Sequence, residues 1–143
     1  MTTYGYSIWA LMIPSQEIMD LLNEHNRVPH IPHITVKTNL TFEEAEDFLF
    51  DCITWEDIVD ISGKAYVLPT YYDNDPLKGW GFPAQLRKIK SDHVQHLTIK
   101  YSTAEIQSCP DKEINISLPV HLRIVDTTSE NPSEWAPVTP VII

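Results

Sequence analysis

Two eight-residue phrases, HIPHITVK at residues 30–37 and HVQHLTIK at residues 93–100, alternate polar and aliphatic residues from their second histidine onward, and that alternation restricts how each can fold. A period of two is the spacing of a β-strand, whose successive side chains point to opposite faces. Ile34, Val36, Leu97 and Ile99 form the apolar faces and seek a core. His33, Thr35 and Lys37 share the other face of the first strand, and His96, Thr98 and Lys100 that of the second. The second phrase begins 63 residues after the first, and four of the six histidines lie in the pair. A scarce residue repeated at matched spacing, beside a matched hydroxyl and a matched ammonium, reads as two halves of one site.

The remaining pattern supplies a frame for these strands. Residues 4–13 are aromatic and branched and read as a strand. Pro14 and Ser15 open a helix with Ile18, Leu21 and Leu22 on one face, running to about Arg27. Thr41 and Glu44 make a capping box, and Phe42, Ala45, Phe48 and Leu49 give the helix that follows its apolar stripe. Strand-like segments then run over Ile58–Leu68, Trp80–Lys88, Val94–Tyr101, Ile114–Val125 and Trp135–Ile142. Residues 71–92 contain Pro76, Gly79, Gly81 and Pro83, which argue against a helix there. No linker or low-complexity tract divides the chain, so residues 1–143 are read as one domain. Helices on the N-terminal side and strands after them suggest an α+β fold.

Composition narrows the function. The formal net charge of −10 argues against an extended duplex nucleic acid as partner, but not against a small phosphate ester bound in a groove. Basic residues do collect near the motifs, at Lys37, Arg87, Lys88, Lys90 and Lys100. No run approaches the roughly 18 apolar residues of a membrane span, and no basic segment followed by an apolar stretch suggests a leader. Cys52 and Cys109 are too few for a disulfide framework. A cytoplasmic monomer is the expectation.

The polar faces carry a recognisable chemistry. If the two strands lie side by side in one sheet, two imidazoles, two hydroxyls and two ammonium groups converge. One histidine can take a proton from the attacking oxygen while the other protonates the departing one. Thr35, Thr98, Lys37 and Lys100 can meet the negative charge that builds on the non-bridging oxygens. A catalytic zinc wants three converging ligands, and no carboxylate or cysteine sits at motif spacing, so neither metal nor cofactor is expected. His30 and His93 stand three residues before His33 and His96, on the opposite face if the strand reaches so far. They read as structural positions, with orientation of the catalytic imidazoles as the alternative. Tyr71, Tyr72, Trp80 and Phe82 form an aromatic-rich stretch, in which Trp80, between two glycines, is the candidate to stack on a nucleobase.

Two His-aliphatic-Thr-aliphatic motifs, HITV at 33–36 and HLTI at 96–99, resemble those of the 2H phosphoesterases, and of the cyclic phosphodiesterases among them. The opening YSIWAL (6–11), the phrase PHITV (32–36) and the helix start LTFEEAEDF (40–48) are also similar to that group. The resemblance implies His33 and His96 as the catalytic pair, Thr35 and Thr98 as phosphate ligands, and Tyr101 as a further phosphate contact. Strand alternation, however, sets Tyr101 on the face opposite His96. For the fold it implies two pseudo-symmetric lobes, each with an antiparallel sheet, flanking a central groove. The helix usual before the second motif is missing, so the second lobe is expected to be trimmed, and Gln95 stands where proline is common. For the substrate it implies a cyclic nucleotide or an RNA-terminal cyclic phosphate. Close alternatives are a viral or phage-type enzyme that degrades 2′,5′-oligoadenylates or cyclic oligonucleotides, and an inactive nucleotide- or RNA-binding module. A metal-binding protein is a weaker fourth possibility.

Overall fold

The structure, a computed structural model, describes residues 5–12, 15–25, 32–52, 55–68, 78–90, 95–102, 108–129 and 134–138. Its elements follow the order β1 (Tyr6–Met12), α1 (Gln16–His25), β2 (His33–Leu40), α2 (Phe42–Asp51), β3 (Glu56–Lys64), β4 (Tyr66–Val67), β5 (Lys78–Leu86), β6 (His96–Ser102), β7 (Glu113–Asp126) and β8 (Ala136–Val138). Most strands and both helices lie within two or three residues of where the sequence pattern puts them. β8 is shorter than Trp135–Ile142, and residues 139–143 lie outside the described part.

The arrangement of these elements departs from expectation. Six strands pair in the order β1-β2-β6-β5-β3-β7, and β7 pairs back to β1, so the sheet closes on itself. Every pairing is antiparallel, as an even number of strands permits. β4 adds to β5 and β8 to β7. The two-lobed α+β fold with a central groove is therefore incorrect: among the described residues the chain is a closed antiparallel barrel with two short helices. Closure comes from the length of β7. Its first half runs beside β3, from Glu113 opposite Lys64 to His121 opposite Glu56. Its second half runs beside β1, from Val120 opposite Met12 to Asp126 opposite Tyr6. One strand of 14 residues thus joins what the sequence suggested were separate lobes.

All six strands contribute to a single core, with Ile8 and Ala10, Ile34 and Val36, Leu97 and Ile99, Trp80 and Phe82, Val59 and Ile61, and Leu122 and Ile124 buried together. Burial of that many aliphatic and aromatic side chains is the main force that closes a small barrel. Ile18 and Leu21 of α1 and Ala45 and Leu49 of α2 join the same core. α2 begins with the capping box anticipated at Thr41 and Glu44: the Glu44 N–H donates to Thr41 Oγ1 at 3.1 Å and the Thr41 N–H donates to Glu44 Oε1 at 2.9 Å. Its loss costs helices of this kind about 1 kcal/mol.

Polar ties hold the far side of the barrel. The buried Asp57 carboxylate of β3 accepts the backbone N–H groups of Lys88 and Ile89, each at 2.9 Å, fixing the turn that leaves β5. Arg87 in that turn grips Asp60 with two nitrogens, at 2.9 and 2.8 Å, and Ser117 of β7 donates to the same carboxylate at 2.5 Å. The three groups stitch β5, β3 and β7 together. They hold the Asp60 carboxyl at about 2, below its ordinary 3.8, with the Arg87 hydrogen bond as the largest cause and the Ser117 bond next. Because folding lowers this value, the contribution to stability is complete above pH 3.8 and is lost as pH falls towards about 2. In urea titrations over that window, Asp60→Asn should show a flatter loss of stability with falling pH than the wild-type chain. Parallel curves would show that the carboxylate plays no part.

Candidate active site

The two motif strands are neighbours. β2 and β6 run antiparallel with Ile34 opposite Leu97, and both of these side chains are fully buried in the core. From that one bridge, strand alternation turns His33 and Thr35 of β2, and His96 and Thr98 of β6, to the face away from the core. Directly opposed side chains on one face have Cβ atoms about 4.5–5.5 Å apart, and diagonal pairs about 7–8 Å. The four groups therefore form a quartet on the face away from the core.

The quartet is not symmetric in depth. His33 is 4% exposed and Thr98 5%, whereas Thr35 and His96 are half-buried. β1 is the reason. It flanks β2 with Leu11 opposite His33 and Trp9 opposite Thr35. The Trp9 ring lies flat on the His33 ring, with centroids 3.4 Å apart and planes 4° from parallel. Trp9 in turn meets the edge of Trp135 at 5.8 Å, and Tyr101 meets Trp135 at 5.4 Å. With Val125 and Leu11 these rings make a second, smaller apolar cluster on the motif face. Trp135 is fixed by donating its indole N–H to the Ser129 carbonyl at 2.7 Å.

Two breaks in strand register reassign the flanking residues. Between β1 and β2 the register slips so that Lys37 is opposite Ile8, a core residue, and not on the face of Trp9 and Thr35. The Lys37 ammonium lies 5.4 Å from the centre of the Phe48 ring on α2. Thr38 takes over the motif face, where its hydroxyl pairs with buried Ser7 at 2.9 Å. Between β5 and β6 the slip falls at Trp80/Gly81: Gly81 is opposite Thr98, but Trp80 is opposite Lys100. An extra residue on one strand reverses the facing of everything beyond it. Lys100 accordingly falls on the side of Trp80, and Tyr101 returns to the side of Thr98, which explains its place beside Trp135.

Three expectations are corrected by this. Lys37 and Lys100 do not share the face of the quartet, while Tyr101, which strict alternation set on the far side, does. Trp80 is no surface platform: it is 3% exposed, in the core, with the His25 ring edge-on at 4.9 Å and Phe82 at 6.2 Å. Phe82 is likewise buried, opposite Leu97. His30, His93, Tyr71 and Tyr72 lie outside the described residues. Among the described residues, no three His, Cys, Asp or Glu side chains gather as metal ligands would.

Sequence reasoning missed three residues. Trp9 faces away from Ile8 and Ala10, and its parity was a usable signal once β1 is laid beside β2. Nothing local marks Trp135, which reaches the site only through the pairing of β8 with β7. Gln95 looked like a minor departure from proline. Its side-chain oxygen accepts the Leu86 N–H at 2.7 Å, which pins the start of β6 to the end of β5 one residue before His96. The chain matches no family model, no curated protein and no solved structure.

The slip beside Thr98 depends on a glycine. A Cβ placed on Gly81 would stand 1.9 Å from the Leu97 carbonyl oxygen and 2.9 Å from the Thr98 Cα, both rigid backbone. Gly81→Ala should therefore force β5 and β6 apart and lower stability by about 1–3 kcal/mol, the usual cost of overpacking. An unchanged melting temperature would mean that the two strands are not in this close approach.

Proposed function

We propose that the chain is a metal-independent phosphodiesterase of the 2H phosphoesterase kind, hydrolysing a nucleotide-derived cyclic phosphate or phosphodiester. The observation that carries this is the Ile34–Leu97 bridge, which sets β2 and β6 side by side, with His33, Thr35, His96 and Thr98 on the faces turned from the core. In the reaction, one imidazole takes a proton from water as the water oxygen bonds to phosphorus. The other gives its proton to the ester oxygen as the phosphorus–oxygen bond on the opposite side breaks. The two threonine hydroxyls donate to the non-bridging oxygens, where charge accumulates. The net result consumes one water and leaves a phosphomonoester and a free hydroxyl, with the two histidines exchanging protonation states. Tyr101 borders the same face and is the further candidate for a substrate contact.

The facing of the lysines favours a diester over a monoester. With Lys37 and Lys100 turned from the quartet, hydroxyls and a single imidazolium are matched to the one negative charge of a diester. A phosphomonoester dianion would call for more fixed positive charge.

A panel of 2′,3′-cyclic, 3′,5′-cyclic, and linear and cyclic 2′,5′- and 3′,5′-linked nucleotides, incubated in EDTA and resolved by mass, tests the reading and identifies the linkage. Turnover of at least one diester should persist in EDTA and be bell-shaped in pH. His33→Ala and His96→Ala should each lower kcat by about 100- to 10,000-fold, with nucleotide binding retained. Thr35→Ala and Thr98→Ala should act mainly on kcat, in line with lost transition-state hydrogen bonds. Full activity in both histidine variants, or complete loss in EDTA, would refute the proposal. Binding without turnover across the panel would favour the inactive nucleotide-binding module instead.

A further inference from the structure

The two motif histidines are equivalent in sequence but not in their surroundings. His33 is 4% exposed and lies under an indole, while His96 is half-buried on the neighbouring strand. An imidazole exchanges protons only through its ring nitrogens, whose N–H bond or lone pair lies in the ring plane. The orientation of that plane therefore decides which oxygen atoms it can serve. With centroids 3.4 Å apart and planes within 4°, the Trp9 indole leaves the His33 ring free to act only along its edges. Trp9 is itself held: it is 2% exposed, braced by the edge of Trp135, which is hydrogen-bonded to the Ser129 carbonyl.

We infer that Trp9 is a positioning residue that fixes the ring plane of His33 and so makes the two histidines non-interchangeable in the reaction. This rests on the phosphodiesterase reading for its effect on turnover, but not for its effect on the ring. The position of Trp9 opposite Thr35 extends its reach across the whole first motif, since diagonal neighbours in an antiparallel pair lie within range of a large aromatic ring. Trp135 extends the same bracing to Tyr101 of the second motif strand, so one aromatic chain steadies both halves of the site. Other ionisable groups share this face with His33. Among the described residues they include His96 and Tyr101 on β6 and, across β1, Arg123 opposite Trp9 and His121 opposite Leu11. The Trp9 indole lies directly on the His33 ring, so its removal should act most strongly on His33.

Two readouts test this in the whole chain. In steady-state kinetics with the preferred diester, Trp9→Leu should lower kcat by about 10- to 100-fold, the penalty of a misplaced catalytic group, with KM held. One limb of the pH profile should shift while the other stays, and Trp9→Phe should recover part of the rate. In NMR spectra of histidine-labelled protein, the His33 ring signals should move in Trp9→Leu, losing the indole ring-current shift, while those of His96 stay. Wild-type kcat and pH limbs in Trp9→Leu, or His33 signals that do not move, would overturn the inference. Should Trp9→Leu fail to fold, Trp135→Phe loosens Trp9 at one remove. It should lower kcat in the same direction by less, and an unchanged kcat and unchanged His33 signals would again overturn the inference. If the wild-type chain hydrolyses nothing on the panel, the phosphodiesterase reading fails and the NMR shifts alone decide the role of Trp9.

Discussion

The double engagement of β7 is the constraint on which the rest depends. A 14-residue strand that pairs with β3 along its first half and with β1 along its second leaves neither β1 nor β3 as a free edge on that side. Closing the sheet in this way removes most of the exposed backbone hydrogen-bonding groups that open sheets must otherwise protect. It also forces one face from every strand into a common core. Once the core claims Ile34, Val36, Leu97 and Ile99, the motif histidines and threonines have only the opposite face to occupy. The site is a by-product of burial in this sense: the aliphatic half of each motif positions the polar half.

Closure also explains why the site is backed by aromatic rings. Because β1 lies between β7 and β2, its outward residues face the first motif on one side and the C-terminal half of β7 on the other. Trp9 fills that space with a large apolar surface against which an imidazole can stack. The addition of β8 to β7 then brings Trp135 across to meet it. Two tryptophans separated by most of the chain become one wall, and this wall distinguishes His33 from His96. The near-identity of the two motifs conceals the difference.

Register slips account for most of what alternation misjudged. A strand's facing can be read from its own residues only while every residue is paired in turn. The slip near Ile8 turns Lys37 towards Phe48. The slip at Trp80/Gly81 turns Lys100 away from the quartet and brings Tyr101 back to it. Gly79 and Gly81 were visible as breaks in the pattern, and isolated glycines in strands do mark bulges or close approaches. They read equally well as an exposure signal for Trp80, and that inference failed because the glycines serve strand contact. Trp80 is large and apolar and fills the core instead.

The positions of strands and helices, the capping box of α2 and the shared facing of His33 with Thr35 and of His96 with Thr98 were all legible from the sequence. Each depends on residues close together in the chain, where periodicity and local hydrogen bonding decide the outcome. Which strands became neighbours was not legible. A two-lobed arrangement and a closed barrel use the same alternating strands, and choosing between them depends on how far β7 extends past β3 to reach β1. The same non-local pairing decided that the two motifs lie side by side, that both lysines turn away and that Trp9 covers His33. Local pattern determined what each strand presents; only the closing of the sheet determined what it is presented to.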